Sequence, residues 1–160
     1  MRANFTRQSF INKLSIGLVI LTVAVPATAD VSSLKALAAK GDAEAQYELA
    51  GTYRANSNEA FDWYQKAANQ GDAKAQTAIG SYYSHGSDLA SAVPQDYFKA
   101  LEWFSKAAAQ GEASAQYNLG HLYNRGSGVR LNKIQAQEFY GQACDNGKQE
   151  GCDEYKKLNK

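Results

Sequence analysis

Proline is nearly missing from this chain, with two residues in 160, while glycine occurs 13 times. A strand-rich sandwich punctuated by proline turns is therefore a poor fit, and alanine, the commonest residue, favours helix. There are two cysteines and two histidines. They cannot fill a four-ligand structural zinc site without carboxylate help. No excess of either charge is present: 17 Lys plus Arg stand against 16 Asp plus Glu, a formal charge of +1. That balance gives no electrostatic case for nucleic acid. What is present, 44% hydrophobic and 21% charged residues, is the composition of one ordinary globular domain.

The first 29 residues read as a secretory signal peptide. Arg2, Arg7 and Lys13 precede any acid, and an apolar run extends from Leu14 to Val25. Ala27-Thr28-Ala29 then gives the small-x-small cleavage pattern, so cleavage is expected after Ala29. The apolar run is well short of the roughly 20 residues of a membrane-spanning helix. No cysteine follows the cleavage site, which argues against a lipid-anchored lipoprotein. The mature chain, 30–160, keeps 14 basic and 16 acidic residues, a formal charge of −2. Its expected location is periplasmic or secreted, with no stable membrane span after signal removal.

The mature chain repeats itself. Asp42-Ala-Glu-Ala-Gln-Tyr-Glu-Leu-Ala-Gly-Thr-Tyr53 superimposes on residues 72–83 and 112–123. A second shared block, Ala60-Phe-Asp-Trp-Tyr-Gln-Lys-Ala-Ala68, recurs at 100–108 and, more loosely, at 136–144. Glycines 41, 71, 111 and 147 bound the units at intervals of 30, 40 and 36 residues. Periods of that size indicate stacked supersecondary units.

Each unit reads as a helix pair. Ala45, Leu49, Ala50 and Tyr53 make one apolar stripe, with Ala75, Ile79, Gly80, Tyr83 and Ala115, Leu119, Gly120, Tyr123 as equivalents. Ala60, Trp63, Tyr64 and Ala67 make a second, repeated at Ala100, Trp103, Phe104 and Ala107. A lone helix cannot bury either stripe; paired helices stacked on neighbours bury both. Small residues at 50, 80 and 120 predict close helix approach. Asp42, Asp72 and Glu112 are placed as N-caps. The repeats fall at about 42–71, 72–111 and 112–147, with caps at 31–41 and 148–160.

Ala115-Gln-Tyr-Asn-Leu-Gly120, Tyr123, Gly126-Ser-Gly-Val129 and Ala136 resemble the Sel-one-like repeat family, relatives of the tetratricopeptide repeat. The second unit carries about four extra residues within 87–92, and the first is about six residues short between Arg54 and Ala60. The resemblance implies an all-α, right-handed α/α solenoid of about three helix-turn-helix repeats. It also implies a protein-interaction scaffold and not an enzyme, with no cofactor.

Cys144 stands where Ala68 and Ala108 stand in the other units, and Cys152 where Gln76 and Gln116 stand. Antiparallel helices turning at Gly147 bring such positions within the roughly 4.4–6.8 Å between Cα atoms that a disulfide needs. In an oxidising compartment that pairing is expected, and the spacing resembles the Cys-rich secreted branch of the family. The pair is not Cys-x-x-Cys, so a redox role is not expected.

Ser32-Ser-Leu-Lys35 matches the Ser-x-x-Lys of serine β-lactamases, but no Ser-Asp-Asn or Lys-Thr-Gly follows. His85 and His121 fall at non-equivalent repeat positions, on different helix faces, and each reads as an isolated surface residue. No catalytic constellation and no metal site can be drawn. Gly126-Ser-Gly128 lacks the Lys-Ser/Thr of a phosphate loop.

The remaining signal is the polar face of the first helices. By analogy with the tetratricopeptide relatives, Tyr47, Thr77, Ser81, Tyr117, Asn118 and His121 line one concave groove. Aromatics and amides there suit an extended peptide or a partner helix. The expected function is therefore a secreted or periplasmic scaffold for a protein or peptide partner. Two runner-up readings are β-lactam or cell-wall-peptide binding or hydrolysis, as in the Cys-rich branch, and an immunity-type inhibitor of one exported protein.

Overall fold

The computed structural model describes residues 31–53, 57–86 and 93–160. The signal peptide expected over 1–29 and the extra residues at 87–92 lie outside them. The described residues form eight helices: α1 (Val31–Ala39), α2 (Ala43–Thr52), α3 (Asn58–Asn69), α4 (Ala73–His85), α5 (Tyr97–Ala108), α6 (Ala113–Arg125), α7 (Lys133–Asp145) and α8 (Gln149–Leu158). Every substantial helix contact is between consecutive helices. This is the one-dimensional packing of an all-α repeat solenoid.

The starts of the helices follow from local chemistry. Asp42, Asp72 and Glu112 each accept a bond from the backbone N–H three residues on, at Ala45, Ala75 and Ala115. Ser57, Asp96 and Asn132 cap the second helices in the same manner. Between units the chain reverses at Gly41, Gly71, Gly111 and Gly147, whose φ angles run from 83° to 99°. An L side chain in that region is strained, so the turn requires glycine.

Packing depends on small residues in the first helices. A Cβ on Gly80 would lie 2.6 Å from the Phe104 ring, and one on Gly120 would lie 2.5 Å from the Tyr140 ring. Phe104 and Tyr140, at equivalent positions of α5 and α7, are consequently almost wholly buried, at 1% and 0% exposure. In the first unit Ala50 occupies the seat, and the equivalent Tyr64 is only half-buried. Tyr53, Tyr83 and Tyr123 pack partly buried against the core; Tyr123 stacks on Phe139 with ring centroids 5.5 Å apart. The neighbouring Tyr82 and Leu122 are buried more deeply, which the predicted stripes omitted. They lie seven residues beyond Ala75 and Ala115, about two helical turns along the same face.

A polar relay joins the units, and the sequence reading missed it. Gln46, Gln76 and Gln116 are buried. Each donates its side-chain amide to the carbonyl eight residues earlier, at Ala38, Ala68 and Ala108. Each also accepts a bond, from Gln70, Gln110 and Asn146 respectively, at 2.8, 2.9 and 2.8 Å. Buried amides are thereby satisfied at the first three junctions. At the fourth junction the same two positions are Cys144 and Cys152, and they are disulfide-bonded, with Cα atoms 4.6 Å apart. The covalent bond stands where a glutamine-to-carbonyl bond stands elsewhere. Gly151 stands where Ala45, Ala75 and Ala115 stand; a Cβ there would lie 2.8 Å from that of Ala143. The helices approach more closely at the disulfide, and only glycine fits.

Two outcomes check this packing. Gly120→Ala should lower stability by about 1–3 kcal/mol through overpacking. Gly51→Ala, on an ordinary helical backbone with only the Tyr64 hydroxyl 3.9 Å away, should raise it by up to about 1 kcal/mol. Thermal unfolding of both variants reads the contrast, and equal melting temperatures would refute it. The disulfide closes a short loop, so its loss should cost somewhat less than about 3 kcal/mol. Cys144→Ala with Cys152→Gln should recover about 1 kcal/mol relative to Cys144→Ala with Cys152→Ala, by restoring the junction bond. Denaturant midpoints measure the difference.

Candidate groove between the first helices

Successive first helices lie side by side, with an aromatic from a second helix beneath the gap. Tyr64 lies beneath α2 and α4, and Phe104 beneath α4 and α6. The gap between α4 and α6 is a cavity of about 450 Å³, lined by Ser84 and His85 on one flank and Tyr117, Asn118, His121 and Arg125 on the other. Phe104 and Leu122 are its buried floor. Gln95, Tyr97 and Ser127 close one end; the Gln95 amide donates to the Ser84 carbonyl at 2.9 Å. The gap between α2 and α4 is smaller, about 250 Å³, and includes Tyr64 and Ser81.

Of the residues predicted for one groove, Tyr117, Asn118 and His121 therefore share the larger cavity, and Ser81 borders the smaller. Tyr47 and Thr77 border neither. Tyr47 packs on Tyr64, with ring centroids 5.5 Å apart. The Thr77 hydroxyl lies 3.0 Å from Glu112 Oε2, tying α4 to the cap of α6. The Ser81 hydroxyl is turned back onto the Thr77 carbonyl at 3.0 Å.

The reading of the two histidines as unrelated surface residues needs correction. His85 and His121 do occupy different helix faces, yet they border the same cavity. The gap between two parallel neighbours is lined by facing flanks of the two helices, so His85 meets both the non-equivalent His121 and its own repeat equivalent, Arg125. Arg125, Phe104, Gln95 and Ser127 were also missed. Phe104 was assigned only to the core stripe, and the others carry no repeat signature.

His121 meets the edges of two rings, Tyr117 at 4.5 Å and Tyr140 at 5.4 Å between centroids. Burial, with a smaller push from Arg125, holds its pKa below the ordinary 6.5. Burial raises the Tyr117 phenol and pushes Tyr140 up to about 12, with Asn124 pulling the latter the other way. The Tyr140 hydroxyl is buried without a partner of full hydrogen-bond geometry. All three rings are thus neutral near pH 7, and Arg125 is the permanent cation of the described lining. None of the described lining residues is an acid.

Ser32 and Lys35 are exposed on α1 and border none of the cavities described above. No described helix is long and apolar enough to cross a membrane.

Residues 43–72, 73–112 and 113–148 each match the Sel1 repeat. The chain belongs to the Sel1 repeat family. Sel1 repeat proteins are scaffolds that mediate protein–protein interaction, and the family is generally non-enzymatic. Among solved structures, the chain is similar to a protective antigen of uropathogenic Escherichia coli displaying an SLR fold. The two share 34% identity and a TM-score of 0.69 over 78% of this chain, which spans only 27% of that antigen. It is also similar to a Sel1 repeat protein from Oxalobacter formigenes, at 32% identity and a TM-score of 0.69, covering 80% of this chain and 98% of the other. Cysteine rich protein B of Helicobacter pylori shares the fold, at 22% identity and a TM-score of 0.61 over 78% of this chain and 96% of its own. The chain matches no curated protein sequence.

The depressed His121 pKa fixes the sign of one pH effect. Below pH 6.5 the unfolded chain takes up a proton at this residue before the folded chain does. Its contribution to stability is therefore present above pH 6.5 and is lost as the pH falls through the lower folded value. Imidazole NMR titration should place His121 below 6.5, and His121→Gln should flatten the stability profile in that window.

Proposed function

We propose that this Sel1 repeat protein is an extracytoplasmic scaffold that holds a peptide segment of a partner protein in the groove between α4 and α6. The observation that carries this reading is the cavity of about 450 Å³ with an aromatic floor and an amide, imidazole and guanidinium rim. Aromatic and arginine side chains around a desolvated pocket are the usual anchors of protein association. Tyr117, Asn118 and His121 are the contact residues, with Ser81 extending the surface toward α2. Tyr47 and Thr77 act from behind it, Tyr47 supporting Tyr64 and Thr77 fixing the α6 cap. The Cys144–Cys152 disulfide supports a location in an oxidising compartment, and the signal-like first 29 residues support export to the periplasm or beyond.

The role assigns no catalytic residue. β-Lactam turnover would need a nucleophile with a base in a shared cavity, and the Ser32–Lys35 pair lies exposed on the capping helix.

A cross-linked pull-down from the cell envelope should recover a stoichiometric partner. Tyr117→Ala or Asn118→Ala should weaken its capture by about tenfold or more, as loss of a central contact does. Unchanged capture by both variants would overturn the groove assignment.

A further inference from the structure

We infer that the cavity between α4 and α6 receives the C-terminal residue of the partner, with its apolar side chain on Phe104 and its terminal carboxylate at Arg125. This rests on the groove reading above and adds the chemistry of the group recognised.

Floor and rim differ in kind. The floor, Phe104 and Leu122, is buried and apolar. Position 104 is the one place in the series 64, 104, 140 where the aromatic carries no hydroxyl, and the cavity above it is the larger. The rim offers the donors Arg125, His121 and Asn118 and no described acid; His85, beside them, donates its Nδ1–H to the Ser81 carbonyl. Arg125 is exposed and forms no ion pair among the described residues. The charge around it is one-sided: from Ala113 to Gln137 the sequence holds Arg125, Arg130 and Lys133 and no Asp or Glu. The acids of α8 that act on Tyr117, Glu150 and Glu154, are paired with Lys148 and Lys157.

An anionic group is therefore favoured at the rim, and an apolar one on the floor. A glutamate side chain entering the cavity would carry its charge to the floor, where it would lose its hydration without a donor in return. A chain terminus reverses that order. The side chain goes down, and the carboxylate of the same residue stays at the rim, where a guanidinium accepts it in bidentate fashion. The volume lies within the range of about 300–1,000 Å³ usual for small-ligand pockets and suits one anchoring residue.

The test uses the purified protein and three peptide sets of matched sequence. One ends in Leu or Phe with a free carboxylate, one is the same set as C-terminal carboxamides, and one is carboxamides with Glu near the end. Fluorescence anisotropy should show the free acids binding at least tenfold tighter than either carboxamide set. Arg125→Gln should abolish that difference and Arg125→Lys should keep part of it, with unchanged circular dichroism. Equal binding of acids and plain carboxamides would overturn the terminus assignment and leave the groove reading standing. Glu-bearing carboxamides matching the free acids would also overturn it, in favour of an internal acidic segment. Binding by none of the three sets would overturn both this inference and the reading of the groove as a peptide site.

Discussion

How closely two helices may approach is the constraint on which this molecule depends. A short helix pair of this composition has two apolar stripes and can hide only one by itself. The second is hidden when the next pair arrives, and within a pair the second helix closes on the first only where the first presents hydrogen in place of a side chain. Gly80 and Gly120 supply that space, and Phe104 and Tyr140 fill it. The same insertion that closes the core sets the floor of the gap between first helices. Stability and the candidate site are therefore two consequences of one contact. Where the seat is alanine, as at Ala50, the aromatic stays half-buried and the gap is smaller.

Each inter-unit junction meets a second demand, that of buried polarity. At three junctions a buried glutamine adds a second bond to a helix-terminal carbonyl that the turn glycine's N–H already bonds, and its own oxygen accepts from Gln70, Gln110 or Asn146. At the last junction the same two positions carry the disulfide, which leaves no buried side-chain amide to satisfy. The N-cap residue of α8, Lys148, makes no side-chain cap bond, and Gly151 is its one fully buried residue. A covalent link at that place ties to α7 a helix that its own burial holds weakly.

The groove chemistry follows from variation on this repeated frame. Positions whose residues recur keep the stack regular, and positions whose residues vary give the gap between α4 and α6 its character. Asn118 stands where the other units have Glu48 and Ala78, and His121 where they have Gly51 and Ser81. Phe104 stands between two tyrosines. The result is a gap with a cationic rim in a chain whose residues 30–160 are slightly acidic overall.

The sequence by itself determined the helix pairs, their number and their ends, because apolar spacing, N-cap residues and turn glycines act within a few residues of one another. It also determined the pairing of Cys144 with Cys152, since one tight turn separates them. Tyr117, Asn118 and His121 were legible as a polar face because they share one helix. Only the tertiary structure decided that His85 and Arg125 meet them, that Phe104 is the floor, and that Tyr47 and Thr77 stand apart. It alone showed three glutamines of a repeated polar position to be buried ties. Those relations join residues 24 to 35 positions apart in the chain. They depend on which flank of each helix faces its neighbour after stacking, a rigid-body outcome that local periodicity does not encode.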